Sequence, residues 1–162
     1  MVESYELEKA VWTNDDFDVM GWHDATIWAM AVVSEQFELL FDVDYILQWV
    51  NPLPPSSYFN FWVSPATLVF QGVQDIKVDM DLQYIQLIEV DHIERKGPFE
   101  SPDGSLTNWK WRIDLQQGTI EFEAGGFTQY LRTSPFFGPL QQLSQAQRGG
   151  ISFDRIFHET AR

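Results

Sequence analysis

The chain has 162 residues, with 24 Asp and Glu against 10 Lys and Arg, a formal charge of −14 and no cysteine. That length suits one domain able to bury a core without cross-links, and the lack of Cys excludes disulfides, thiolate nucleophiles, iron–sulfur clusters and Cys-based zinc sites. So acidic a chain repels phosphate backbones, which argues against nucleic-acid binding through a basic face, and a hydrophobic content of 44% argues against general disorder.

The charge is unevenly placed. From Ala10 to Ile76 there is no Lys or Arg, while that stretch carries Asp15, Asp16, Asp18, Asp24, Glu35, Glu38, Asp42, Asp44 and Asp75. From Arg132 onward the chain turns mildly basic, with Arg132, Arg148, Arg155 and Arg162 against Asp154 and Glu159. Carboxylates without nearby cations project a negative field, unless cations of later strands fold beside them. The opening Met1-Val-Glu-Ser-Tyr-Glu-Leu-Glu8 has acids where a secretion signal has a basic and an apolar region. No stretch approaches the ~20 apolar residues of a membrane span. With no cysteines, these features point to a cytoplasmic protein that does not enter membranes.

Taken in chain order, the elements repeat with a period of two. Ala25–Val33 is apolar on both faces and predicts a strand. In Phe37–Tyr45 the odd positions are apolar and the even ones are Glu38, Leu40, Asp42 and Asp44, which predicts a half-buried strand with a wet carboxylate face. The link Ser34-Glu-Gln36 makes the two an antiparallel hairpin. Asn51-Pro-Leu-Pro-Pro-Ser-Ser57 is a turn-rich connection, and Tyr58–Val63, Ala66–Met80 and Tyr84–Arg95 are further strand candidates. Gly72 suggests a bulge or a split within the second of these, and Gly97–Gly104 is another long connection. The clearest hairpin follows. Trp109, Trp111, Ile113 and Leu115 share a face with Ile120, Phe122 and Ala124, while Lys110 and Arg112 face Glu121 and Glu123 across a turn at Gly118. Pro139–Arg148, opened by Pro and followed by Gly149-Gly150, predicts the one helix. The expected architecture is a single all-β domain over residues 1–162, an antiparallel sandwich or barrel-like sheet with one short C-terminal helix.

Few residues carry recognisable chemistry. Trp22-His23-Asp24 places an acid beside an imidazole at a strand start, where Asp orients His for proton transfer or simply packs with it. No G-x-S-x-G elbow supplies a nucleophile. Asp42 and Asp44 lie about 7 Å apart on one strand face, from a rise of about 3.4 Å per residue, a spacing open to an inverting carboxylate pair. Asp79 with Asp81 and Glu89 with Asp91 repeat it, as wet strand faces of an acidic protein do. Asn14–Asp18 begins like a calcium loop but has Val19 at the glycine position and Ala25 at the closing acid. His23, His92 and His158 have no zinc spacing, and no phosphate-binding glycine motif occurs, so no metal and no cofactor are expected. Trp12, Trp22, Trp28, Trp49 and Trp62 fall in the cation-free stretch, with Trp49 and Trp62 flanking the Pro-rich loop.

Trp22-His-Asp24 followed by two strands, Gly126-Phe-Thr-Gln-Tyr-Leu-Arg132 and Gln141–Phe153 with its Gln-Arg-Gly-Gly-Ile-Ser-Phe run together resemble a family of small bacterial proteins without assigned function. The Trp-His-Asp strand is also similar to the start of some immunity proteins of bacterial toxin systems, a resemblance that implies inhibitor-like protein binding rather than catalysis. The leading expectation is a non-catalytic protein that binds a basic partner through an acidic face of Asp24, Glu38, Asp42 and Asp44, with Trp22, His23 and Trp28 nearby. The alternatives are a small-ligand or carbohydrate-binding barrel using Trp49 and Trp62 as stacking walls, and a glycan hydrolase built on carboxylates. Unpaired edge strands make a homodimer a reasonable expectation.

Overall fold

In a computed structural model the chain folds as an open antiparallel β-sheet bent over on itself as a sandwich. The structure describes residues 4–159. Residues 1–3, the start of the acidic opening, and 160–162, which include Arg162, lie outside the described residues. The strands are β1 (Val11–Thr13), β2 (Thr26–Val33), β3 (Glu38–Val50), β4 (Asn60–Gln71), β5 (Gln74–Met80), β6 (Ile88–Glu100), β7 (Thr107–Leu115), β8 (Gly118–Ala124), β9 (Gly126–Leu131) and β10 (Phe136–Gly138), followed by the helical turn α1 (Gln145–Arg148). Their order is β1-β9-β4-β3-β2-β6-β7-β8-β5, with β10 beside β4. The first five strands of that path form one layer and the last four the other. They join where Thr26 and Ile27 of β2 pair with Glu89 and Ile88 of β6. The path does not close, so the sandwich rather than the barrel alternative describes the fold. No helix among the described residues is long and apolar enough to cross a membrane.

The core follows from the alternation. Leu39, Phe41, Val43 and Tyr45 of β3 point between the layers to meet Phe70, Trp111, Ile113, Ile120, Phe122 and Phe127. Phe70 anchors an aromatic cluster, with ring centroids 4.6 Å from Phe122, 5.0 Å from Trp111 and 6.0 Å from Phe127. The expected hairpin forms as β7 and β8, with Lys110 opposite Glu123 and Arg112 opposite Glu121. At its turn a Cβ on Gly118 would sit 2.0 Å from the backbone oxygen of Asp79, so close packing against β5 admits only glycine there. The chain splits at Gly72, as β4 ends in one layer and β5 begins in the other.

Three expectations are corrected. Tyr84 lies in a connection over 81–87 rather than in a strand, and β6 instead continues through Gly97 to Glu100. The helix is one turn, because Ser144 caps it through a bond from the Gln147 amide and Gly149 ends it in the left-handed region. Residues 139–143 are non-helical. The largest change concerns β3: Asp42 and Asp44 do not line a wet face. Both are fully buried, as are Arg132 and Arg148.

The segment after β9 folds across this second face of β3 and β4. Leu143 and Phe136 pack with Ile46, Phe61 and Val63 to form a small second core. Beside it, Arg148 grips Asp42 with two bonds, Nη2 to Oδ1 at 2.7 Å and Nη1 to Oδ2 at 2.9 Å. Arg132 Nη2 donates to the same Oδ1 at 2.8 Å, and the Ser152 amide donates to Oδ2 at 3.0 Å. Asp44 accepts from the Trp28 indole at 2.8 Å, the Leu143 amide at 2.9 Å and Arg148 Nε at 3.2 Å. Two carboxylates thus meet two guanidiniums, and forked geometry offsets the desolvation of four charges. Burial pushes the Asp44 carboxyl up, against the pull of these donors. Arg148→Met removes one cation from a sealed cluster and is expected to cost roughly 3–5 kcal/mol in urea denaturation. Arg112→Gln, which breaks an exposed pair, is expected to leave the midpoint near wild type.

Candidate functional site

The acids expected to form one exposed face are mostly engaged. Asp42 and Asp44 are sealed under the C-terminal segment, and Glu38 accepts from Arg155 at 2.8 Å. Trp22 is buried, its indole donating to Gln129 Oε1 at 2.8 Å. Trp28 is held between Asp44 and the Arg148 guanidinium, which lies 4.5 Å from its ring centroid. Trp62 is half-buried between Tyr5 and Phe137, at 5.6 and 5.1 Å. Trp49 is exposed. Of the expected site residues, His23, Asp24 and Trp49 come together near solvent.

Antiparallel topology explains where they meet. The start of β2, the end of β3, the start of β4, the end of β5, the start of β6 and the β7–β8 turn all fall at one end of the sandwich. β10 runs toward the same end beside β4, so residues 139–142 arrive there too. His23 and Asp24 therefore stand beside Glu89 and Asp91 of β6. The Asp24 amide donates to the Val90 carbonyl at 2.9 Å, the His23 ring Nδ1 bonds to the Asp91 carbonyl at 3.1 Å, and His23 Nε2 lies 3.5 Å from Asp24 Oδ1. Asp24 has a left-handed φ of 65°, which Asp tolerates better than most residues and which turns its carboxylate toward Gln141, whose amide donates to it at 2.8 Å.

On its other side His23 stacks on Trp49, with centroids 6.3 Å apart and planes 15° from parallel. Trp49 in turn packs edge-on against Phe61 at 5.0 Å and Phe59 at 5.9 Å. Beyond them a shallow groove of about 390 Å³ runs between Tyr58, Phe59 and Phe61 on one wall and Pro139, Leu140 and Gln141 on the other. Tyr58 is 79% exposed and Leu140 65%. The 81–87 connection adds Leu82, Tyr84, Ile85 and Leu87, all exposed, with Ile85 wholly in solvent. The segments 20–25, 48–61, 81–91, 116–117 and 135–143, which reach this end, hold no Lys or Arg. The result is an acidic, apolar-rich end surface. Among the described residues no group of His, Asp or Glu is arranged to hold a metal ion.

His23, Asp24 and Trp49 stand among the residues expected from the sequence, whereas Tyr58 and Tyr84 lie outside the strands expected for them and Glu89 with Asp91 border the site rather than an ordinary wet face. The usable signal was composition: the Pro-rich connection and the 81–87 connection both carry large apolar residues without a cation.

The electrostatics follow from this crowding. The bond to the Asp91 carbonyl, reinforced by the charges of Asp24, Asp91 and Glu89, raises His23 above its ordinary value of 6.5. Glu89 is raised by burial and by its hydrogen bond to Asp24. Asp24→Asn is accordingly expected to lower the His23 midpoint in an NMR titration. Because the folded value is raised, the stabilisation from charged His23 is complete below about 6.5 and is lost as pH rises through the folded midpoint.

Comparison of the chain with protein-family models, with curated proteins and with solved structures gave no match.

Proposed function

We propose that this is a non-catalytic binding protein whose contact surface is the acidic, apolar-rich end around His23 and Trp49, and whose partner is a basic protein. The observation that carries the reading is coincidence in one place. Exposed aromatic and aliphatic side chains collect at the end of the sandwich where Asp24, Glu89 and Asp91 meet segments that hold no Lys or Arg. Large exposed apolar patches rimmed by polar groups mark interaction sites on soluble domains, and Trp and Tyr are the side chains that most often anchor interfaces. Unopposed carboxylates would steer a basic partner to the surface and reject acidic ones. An inhibitor-like role, as in immunity proteins, fits a surface that covers its partner rather than transforming it. His23 bonds to a backbone carbonyl, and no hydroxyl nucleophile is hydrogen-bonded to it among the described residues. Asp42 and Asp44, being sealed, offer no carboxylate pair to a glycan. A cysteine-free chain suits a reducing compartment, and the bacterial cytoplasm belongs to the same proposal.

A second reading rests on the groove. Its volume is in the range of small-ligand sites, and Tyr58 with Phe59 offers faces on which a sugar ring could stack.

The test is capture of a basic partner from the source cell at low salt, followed by binding measurements on the purified pair. Tyr58→Ala, which removes an exposed ring, is expected to weaken binding roughly 30-fold, the effect of an anchor worth about 2 kcal/mol. Affinity is expected to fall as salt rises. A Lys110→Ala variant on the far sheet face is expected to bind as wild type. Recovery of no basic protein, or binding indifferent to Tyr58→Ala and to salt, refutes the reading, and retention of a glycan instead selects the second.

A further inference from the structure

Several stretches of sheet edge are unpaired among the described residues, and those of β1, β5 and β2 differ in how they are protected. β1 is only three residues long. β5 alternates Asp75, Lys77 and Asp79 along its length and is broken by an irregularity between Gln74 and Lys77. Short strands, charges and irregularities are the devices that stop edges from pairing. The edge at β2 has only an irregularity where it begins, between Ile27 and Ala29. β2 is covered by β6 only at Thr26 and Ile27, after which β6 departs into the other layer. From 29 to 33 β2 pairs only with β3, and no other backbone hydrogen bond among the described residues reaches its outer side. This stretch reads Ala-Met-Ala-Val-Val, with no charge, Pro or Gly. Met30 and Val32 stand opposite Phe41 and Leu39 of β3, which are fully buried, yet are themselves 40% and 59% exposed. The apolar core face therefore runs outward past β3 and ends uncovered at β2.

We propose that a second copy of the chain covers this edge, the two β2 strands pairing antiparallel about a two-fold axis at Ala31. The free window fixes that centre, because β6 occupies Ile27 on one side and the strand ends at Ser34 on the other. In this register Met30 of each copy faces Val32 of the other, Ala29 faces Val33 and Ala31 faces itself. No charge opposes another, so two chains of −14 meet along an uncharged line. A basic partner of the kind proposed for the acidic end finds no carboxylate between 29 and 33, which favours self-pairing here. The dimer surface and the acidic end are separate, so either proposal can fail without the other.

Sedimentation of the full chain is expected to give a mass of twice 18.9 kDa at micromolar concentration. Val32→Lys is expected to return it to a monomer with an unchanged circular-dichroism spectrum. The chain has no cysteine, so a single introduced thiol reports the register. Directly opposed residues of an antiparallel pair have Cα atoms about 4.5–5.5 Å apart, within disulfide reach. Ala31→Cys is expected to cross-link on mild oxidation, while Val78→Cys on β5 stays uncross-linked. A wild-type chain that is monomeric throughout, or a dimer that survives Val32→Lys, overturns the proposal. Equal cross-linking of the two cysteine variants does the same.

Discussion

Two carboxylates buried side by side on one strand constrain the rest of this molecule. Asp42 and Asp44 occupy alternate positions of β3 and point away from the main core, where each would be intolerable alone. Arg132 follows β9 directly and Arg148 ends α1, so satisfying the pair constrains the path of the segment between them. The helical turn, its cap at Ser144, the non-helical run before it and the small core around Leu143 together deliver one guanidinium to one place. Leu143 contributes twice, through its side chain to the second core and through its amide to Asp44.

The same cluster changes what the net charge means. Two acids and two Arg are withdrawn from the surface together, which leaves the total at −14 but moves its expression elsewhere. Lys77, Lys96, Lys110 and Arg112 gather on the outer face of the second layer, around a depression they share with Asp75, Glu94, Glu121 and Glu123. Being charge-balanced, that face is not the source of the field. Among the remaining acids Asp24, Asp81, Glu89 and Asp91 lie at the end of the sandwich that carries the exposed aromatic rings, and Asp15, Asp18, Glu35 and Glu100 lie toward the opposite end.

Much of the fold was legible because period-two alternation reports directly on which side chains can be buried together. The faces of the β7–β8 hairpin were readable, with Lys110 and Arg112 across from Glu121 and Glu123, although β7 begins two residues earlier at Thr107 and β8 includes Gly118. For β3 the alternation gave the strand and its core face but not the fate of the other face, because a polar residue on a strand looks the same whether it meets water or a distant guanidinium. The sequence stretch without cations was real, yet its neutralising partners arrive from the far end of the chain. The helix was overextended for a related reason: Pro139 to Leu143 has no local signal against helix, and what holds it open is a bond to Asp44. At the candidate site, His23 and Asp24 were visible as a motif, whereas their neighbours Glu89, Asp91 and Gln141 are assembled by strand pairing that no local pattern encodes. The start of the expected Tyr84–Arg95 strand misled because Tyr84, Ile85 and Leu87 have the composition of a strand without an edge to pair with.

The clamp also orders events during synthesis. Asp42 is separated from Arg132 by 90 residues and from Arg148 by 106. While the chain emerges from the ribosome, β3 carries two charged groups on a face that nothing yet exists to cover. Charge on a nascent strand discourages premature burial and sheet-to-sheet sticking. The carboxylates thus act first as a solubilising guard on an incomplete sheet and afterwards as the lock that closes it.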